Sequence, residues 1–218
     1  MARFFPRPLL LASCLLAGCA STQAPPRDVL AIGQVQGDAA RSARVGQTVT
    51  VQGVVGAVLD GGWFVQDGGD GNEATSDALF VVDAANRSDV HVGQRVRVRG
   101  VVAEQDTKDA SRTALEQPQV KALGDGAVPV LTLAKAPADW ARLEGMTVRI
   151  EAPLALADTG RLRDGRALAS LDGRLWQPGE RALPGSDEAT SIAVDNARRA
   201  LWLDSDGDVT RWPPGIGR

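Results

Sequence analysis

The sequence predicts a mainly β protein, an all-β chain in class, with a small closed barrel followed by a second, smaller β-rich module that has one short helix. Three observations support this class. Short runs of alternating apolar and polar residues recur along the first half of the chain. The 24 Gly and 12 Pro residues, against four Phe and no Tyr, favour many turns between short Val-rich strands. Five such runs fall within roughly 80 residues, which suits a small barrel.

The predicted barrel spans residues 29–126. In residues 48–52, Val49 and Val51 share one face while polar side chains take the other, as expected of a half-buried strand. Clusters of Gly, Asp and Asn separate the alternating runs and predict turns. The predicted strands are 48–52, 63–66, 78–82, 95–102 and 114–123.

A faint internal repeat marks three strand starts. Gly46, Gly93 and Gly145 each precede a run in which β-branched residues alternate with other side chains. A glycine turn releases the chain into a strand with one buried face. The first two runs belong to the barrel, and the third opens the second module, over 127–205. Residues 187–200 are its predicted helix, with acidic residues first and arginines last, and 206–218 form a predicted tail.

The first 18 residues predict a lipoprotein signal peptide rather than part of the fold. Arg3 and Arg7 provide a positive start, and residues 9–16 form an apolar stretch too short to span a bilayer. Leu16-Ala17-Gly18-Cys19 resembles the bacterial lipobox, in which Cys19 receives a diacylglycerol and becomes the new N-terminus after cleavage. The alternatives are cleavage at the weaker match before Cys14 and an ordinary signal with incidental cysteines.

The predicted anchor would attach the protein to a membrane. Residues 19–28 are polar and carry prolines, which predicts a tether. Ala20, not Asp, follows Cys19, and by resemblance to Gram-negative lipoproteins this implies the outer membrane, on its periplasmic or exterior side. Cys14 and Cys19 are the only cysteines, so we expect no disulfide in the mature chain. Loss of the signal's two arginines leaves 22 basic against 27 acidic residues, a formal charge of −5 that disfavours general polyanion binding.

Motifs along most of the mature chain resemble one known family. They include Ile32-Gly33-Gln34-Val35-Gln36-Gly37, Gly62-Trp63-Phe64-Val65-Gln66-Asp67, Gly93-Gln94-Arg95-Val96-Arg97-Val98-Arg99-Gly100 and Leu143-Glu144-Gly145-Met146-Thr147-Val148-Arg149. Together they resemble the N-terminal region of bacterial extracellular nucleases, in which an OB-fold region precedes an endonuclease/exonuclease/phosphatase catalytic domain. The resemblance implies that the barrel is OB-like and that nucleic acid is a candidate ligand.

The catalytic part of that family has no counterpart in this sequence. The family's catalytic domain uses a metal-binding Glu, catalytic Asp and Asn residues and two essential His, whereas this sequence has one histidine, His91. We therefore expect a protein that is not an enzyme and has no catalytic residues. The readings left open are a stand-alone binding lipoprotein, a truncated or split nuclease, and a structural envelope lipoprotein that docks on a protein partner.

Four oxygen-bearing side chains in a glycine-rich loop form a candidate metal site. Asp67, Asp70, Asn72 and Asp77 are hard ligands of the kind that Ca²⁺ takes, although their spacing is not that of an EF-hand. The alternative is turn chemistry, because connections between strands need Asp, Asn and Gly. No other cofactor is expected.

Three arginines on one predicted strand form the candidate ligand face. Arg95, Arg97 and Arg99 alternate with valines, so their guanidinium groups share one side of the strand and could hold phosphates or an acidic polymer. OB barrels bind oligonucleotides and oligosaccharides on a comparable face. The favoured alternative is a solvated face whose arginines pair with acidic neighbours across the sheet.

Trp63 is a candidate for stacking on a base or sugar. Trp63 and Phe64 are neighbours in one strand, so one points into the barrel and the other points outward. With so few aromatic residues, we expect no extended stacking platform.

Overall fold

Five strands form a closed barrel in the first half of the protein. The computed structural model describes residues 28–84, 87–106 and 111–205. The barrel strands are β1 (Thr48–Leu59), β2 (Gly62–Gln66), β3 (Ala78–Val82), β4 (Gln94–Asp106) and β5 (Ser111–Asp125). They close in the order β1-β2-β3-β5-β4, and each pairing is antiparallel except that of β3 with β5. The predicted fold class, mainly β with an OB-like barrel, is confirmed.

Strand β1 is long because it pairs with two neighbours in turn. From Thr48 to Val54 it pairs with β4, and from Val54 to Leu59 it pairs with β2. A β-bulge between Val55 and Ala57 falls in the second part. A bulge bends a strand and increases its twist, which helps the sheet to close on itself.

Inward-facing side chains of these strands fill the barrel. Val51, Trp63 and Val65 are fully buried in its core. Helix α1 (Ile32–Gln36) adds Ile32 and Val35 to the same core. This helix was not predicted, because five residues are too few to show a helical period.

The three glycines of the sequence repeat adopt left-handed backbone conformations. The φ angle is +82° at Gly46, +89° at Gly93 and +71° at Gly145. Strands β1, β4 and β7 (Val148–Ile150) begin within a few residues of them. A Cβ is disfavoured in this conformation, so glycine is the residue that fits the turn before each strand.

The described residues after the barrel, 127–205, form two small sheets, two α-helices and two short 3-10 helices, Trp140–Leu143 and Leu162–Asp164. Strand β6 (Leu131–Leu133) pairs in parallel with β7, and β8 (Ala155–Asp158), β9 (Arg166–Ser170) and β10 (Ala200–Asp204) form an antiparallel sheet. The helices are α2 (Pro178–Arg181) and α3 (Asp187–Arg199). The helix predicted over 187–200 is therefore present, and the four-residue α2 is an addition.

The end of α3 is fixed by a buried arginine. The side chain of Arg199 is 10% exposed and its Nε donates to Asp195 Oδ2 at 2.7 Å. Its Nη1 lies within 3.4 Å of the carbonyl oxygens of Leu171, Asp172 and Gly173. One side chain thus joins α3 to the turn after β9.

Several predicted segments lie outside the described residues. They are the signal peptide, Cys19, all of the tether except its last residue, and the tail over 206–218. In the described part of the chain, no helix has the length and apolar character that crossing a bilayer requires.

A candidate anion-binding face of the barrel

The outer face of β4 carries a line of guanidinium groups. Val96 and Val98 are fully buried, so the alternating Arg95, Arg97 and Arg99 point away from the core. Side chains two residues apart on a strand are about 7 Å apart along its axis. The three arginines therefore form a regularly spaced row.

Strand pairing adds a fourth cation to this row. Lys121 of β5 lies directly opposite Arg97, and Gln52 of β1 lies opposite Arg97 on the other side. The residues that flank Arg99 are Thr50 and Gln119. We call Arg95, Arg97, Arg99 and Lys121 the basic row.

No carboxylate neutralises the basic row within the described residues. None of its four members has a salt-bridge partner within 4.0 Å there. Arg97 donates from Nη2 to Gln52 Oε1 at 3.0 Å, while its buried Nε has no described partner. The expectation that these arginines pair with acidic neighbours is wrong, because the register places Lys121 and neutral residues beside them. Since like charges opposite each other on a sheet repel, an anion bound over Arg97 and Lys121 would remove an unfavourable interaction.

OB barrels bind ligands on the face of their second and third strands, so the expectation that the arginines lie on a comparable face is wrong: they are on β4. In this protein the outer face of β2 and β3 is covered by the chain itself. Phe64, Ala78, Phe80 and Ala114 form an outer apolar cluster, and Met146 packs against it. The ring centroids of Phe64 and Phe80 are 5.1 Å apart in an edge arrangement. Little of this face is left for a ligand.

Two hydrogen bonds hold segment 144–147 over the outer apolar cluster. Ser76 Oγ donates to Glu144 O at 2.8 Å, and Thr147 N donates to Gln66 Oε1 at 2.9 Å. Between these bonds the backbone of Gly145 runs so close to the Phe64 ring that a Cβ at 145 would lie 2.2 Å from Cδ1. On the basic row, by contrast, Arg95, Arg99 and Lys121 are exposed and Arg97 is half-buried.

Trp63 is a core residue, so the prediction that it stacks on a ligand is wrong. Its side chain is fully buried and its Nε1 donates to Asp83 Oδ2 at 3.2 Å. Of the two neighbouring aromatic residues it is Trp63 that points inward. Burial by itself raises the pKa of Asp83, but hydrogen bonds from Ser88, Trp63 and the Arg87 N–H outweigh it and leave that pKa below its ordinary value.

The contacts of the acidic loop are those of turn chemistry. Asp67 Oδ1, Asp70 Oδ1 and Asn72 Oδ1 each accept from the N–H two residues later, at 2.9, 2.9 and 3.1 Å. Across the described ranges, no group of three or more His, Cys, Asp or Glu is placed to hold a metal ion. The geometry favours the turn alternative over a Ca²⁺ site at Asp67, Asp70, Asn72 and Asp77.

The surroundings of Asp67 and Asp77 in this loop disfavour the charged form of each carboxylate. Burial raises the pKa of Asp67, although the N–H groups of Ile32 and Gly69 partly offset the rise. Burial also raises the pKa of Asp77, and the charges of Asp67 and Asp70 raise it further. Asp77 Oδ1 is buried and has no hydrogen-bond partner among the described residues. The loop is therefore a place where charge opposes folding at neutral pH.

Among solved structures, the chain is similar to the hypothetical protein ygiW from E. coli. The two share 20% sequence identity with a TM-score of 0.26, over 38% of this chain and 83% of that chain. No protein-family model matches the chain. No curated protein matches it either.

Proposed function

We propose that the protein is a lipid-anchored, non-catalytic OB-type module that binds nucleic acid through the basic row. The observation that carries this proposal is a line of three arginines on the outer face of β4, with Lys121 of β5 beside Arg97 and no carboxylate partner for any of the four among the described residues. Guanidinium groups are planar, forked donors that match the oxygens of a phosphate. A linear polyanion can place successive phosphates against successive arginines.

The composition of this face favours contact with the phosphate backbone over reading of bases. Strands β1, β4 and β5 contain no aromatic residue, so the face has no ring on which a base could stack. Contacts with phosphates position a nucleic acid without reading its sequence. We therefore expect binding with little sequence preference.

The salt dependence of binding follows from the number of cations. Four phosphate contacts give a slope of about −3 for log affinity against log salt on a single strand. Affinity should then fall roughly 50-fold between about 50 and about 200 mM salt. Because the mature chain has a formal charge of −5, the attraction is local to the basic row and not a property of the whole protein.

The proposed anchor is tested separately from binding. Cys19 in Leu16-Ala17-Gly18-Cys19 supports attachment to a membrane by lipid. Metabolic labelling with a radioactive fatty acid should mark the protein and should fail for Cys19→Ser. Labelling of Cys19→Ser would show that the fatty acid is attached at another residue.

The binding test uses fluorescence anisotropy with single-stranded and duplex DNA at the two salt concentrations. We expect Arg95→Ala, Arg97→Ala and Arg99→Ala in combination to abolish most binding and to reduce the slope to about −0.7, the value for one remaining contact. A matched control changes three exposed arginines elsewhere, Arg87, Arg149 and Arg163, to Ala. It makes the same change in net charge and should bind nearly as the wild type does.

Two results would count against the proposal. Absence of binding at low salt would remove nucleic acid as the ligand and favour a structural lipoprotein. Equal losses in the two triple variants would show that net charge, and not the basic row, determines binding.

A further inference from the structure

A cleft of about 260 Å³ lies between the end of α1, Ser76 shortly before β3, the start of β5 and the 3-10 helix Trp140–Leu143. No member of the basic row lines it. The polar side chains that matter below are those of Gln36, Ser111, Thr113, Asp139, Arg142 and Glu144. The cleft is thus separate from the proposed nucleic-acid face.

The hydroxyl groups of Ser111 and Thr113 in the cleft already donate their protons to Glu104. Ser111 Oγ donates to Glu104 Oε2 at 2.6 Å, and Thr113 Oγ1 donates to Glu104 Oε1 at 2.9 Å. A hydroxyl has one proton and two lone pairs, so each oxygen is left as an acceptor. Glu104 also accepts from Ser42 N at 2.8 Å, which fixes the carboxylate behind the two hydroxyls.

The other open groups are also mostly acceptors. Gln36 donates from Nε2 to Ala78 O at 2.5 Å, which leaves its Oε1 available. The Glu144 carboxylate has no hydrogen bond and no ion pair within 4.0 Å in the described residues. Asp139 already accepts from Ala141 N at 2.9 Å and pairs with Arg142 at 3.4 Å. Arg142 brings one cation to the lining and is paired with Asp139, so the open groups beside that pair are the acceptor oxygens of Ser111, Thr113, Gln36 and Glu144.

Arg112 is close enough for its charge to act on Glu144, but its guanidinium contacts other groups. Arg112 stacks on the Phe80 ring with its Cζ 3.7 Å from the centroid, and its Nη2 donates to Gln105 Oε1 at 2.7 Å. Burial raises the pKa of Glu144 and the charge of Glu104 raises it further, while Arg112 lowers it. A cation in the cleft would stabilise the charged carboxylate of Glu144.

Three alanines also line the cleft, and its volume leaves room for more than an ion. Ala39, Ala40 and Ala141 line the cleft alongside the acceptors. A water molecule takes about 30 Å³ in the liquid, so a cleft of this size is larger than a bare ion needs. A charged group could therefore sit among the acceptors with a short alkyl chain beside the exposed alanines.

We propose that this cleft binds a primary ammonium group carried on a short alkyl chain. An ammonium has three donors and no acceptor. It therefore complements two hydroxyl oxygens that can only accept and the Glu144 carboxylate, which has no partner among the described residues. Such a group could belong to a free amine or to a lysine side chain, and the two sources are distinguished below.

The test is an NMR titration of the ¹⁵N-labelled protein with n-butylammonium, with tetramethylammonium as a cation of equal charge that has no N–H donor. We expect n-butylammonium to shift the amide signals of residues 37–40 and 141–144, and tetramethylammonium to bind at least about tenfold more weakly. Glu144→Gln should weaken n-butylammonium binding at least about tenfold. Glu116→Gln, an exposed change on the same strand as Thr113 but outside the cleft, should leave it unchanged.

A lysine peptide blocked at both ends separates the two sources. Tighter binding of the peptide would identify a lysine side chain of a partner, and tighter binding of n-butylammonium would identify a free amine; either supports the proposal. No cleft shifts with either probe would overturn it. Equal binding of tetramethylammonium, or unchanged binding by Glu144→Gln with a native spectrum, would also overturn it.

Discussion

Gly145 offers a direct test of how closely segment 144–147 covers the outer apolar cluster. Gly145→Ala places a Cβ 2.2 Å from Phe64 Cδ1 in a backbone conformation with φ of +71°. Gly46 is the matched control, because its φ is +82° and a Cβ there meets nothing within 4 Å. The left-handed conformation costs an alanine about 1 kcal/mol at both positions, so only Gly145→Ala adds a steric clash.

The steric clash in Gly145→Ala adds to the cost of the left-handed conformation. Overpacking a buried contact costs about 1–3 kcal/mol, so the free energy of unfolding should fall by about 2–4 kcal/mol in Gly145→Ala and by about 1 kcal/mol in Gly46→Ala. Urea unfolding measures both, and each kcal/mol corresponds to roughly 2–4 °C in Tm for a chain of this length. Phe64→Leu should restore part of the stability of Gly145→Ala, since the two positions are in contact. Equal losses in the two glycine variants would refute the close contact.

Three further substitutions test how charged side chains affect the free energy of unfolding. Asp77→Asn should raise the urea midpoint at pH 7, because the raised pKa of Asp77 means that its charged form opposes folding. The gain should shrink as pH falls through the raised folded-state pKa and vanish below the ordinary pKa of an aspartate, about 4. Asp83→Asn should cost roughly 1–2 kcal/mol at pH 7. Since the pKa of Asp83 is lowered, its contribution is present above about pH 4, is lost as pH falls through the folded-state pKa, and the two proteins should converge there. Arg199→Ala should cost about 2 kcal/mol, because the buried carbonyl oxygens of Leu171 and Asp172 lose the Nη1 donor and Asp195 keeps only its bond from Arg198. Exposed Arg163→Ala should change stability by less than about 0.5 kcal/mol, and urea unfolding measures both variants.

The barrel strands could be read from the sequence because their alternation is local. The segment 78–82 was predicted and β3 is Ala78–Val82, and Gly46 and Gly93 marked the starts of two other strands. Helix α1 could not be read this way. Its five residues are ordered by burial of Ile32 and Val35 in the barrel core, which is a tertiary effect.

The candidate face could be predicted only in part. Alternation along β4 places its arginines on one side, but their neighbours depend on how β5 is aligned with it. Bulges between Gln94 and Val96 and between Arg99 and Val101 shift that alignment, so no local pattern shows that Lys121 faces Arg97. The position of Trp63 inside the barrel and the cover over β2 depend on contacts between distant residues, such as Gln66 with Thr147.

The central claim is that nucleic acid binds the basic row and not the covered face of β2 and β3. The most direct measurement is an NMR titration of the ¹⁵N-labelled protein with a short single-stranded DNA, read out at backbone amides on each face. We expect shifts at Gln52, Arg97 and Lys121 and none at Phe64 and Phe80. Shifts confined to Phe64 and Phe80 would contradict the claim and would mean that segment 144–147 opens to admit the ligand.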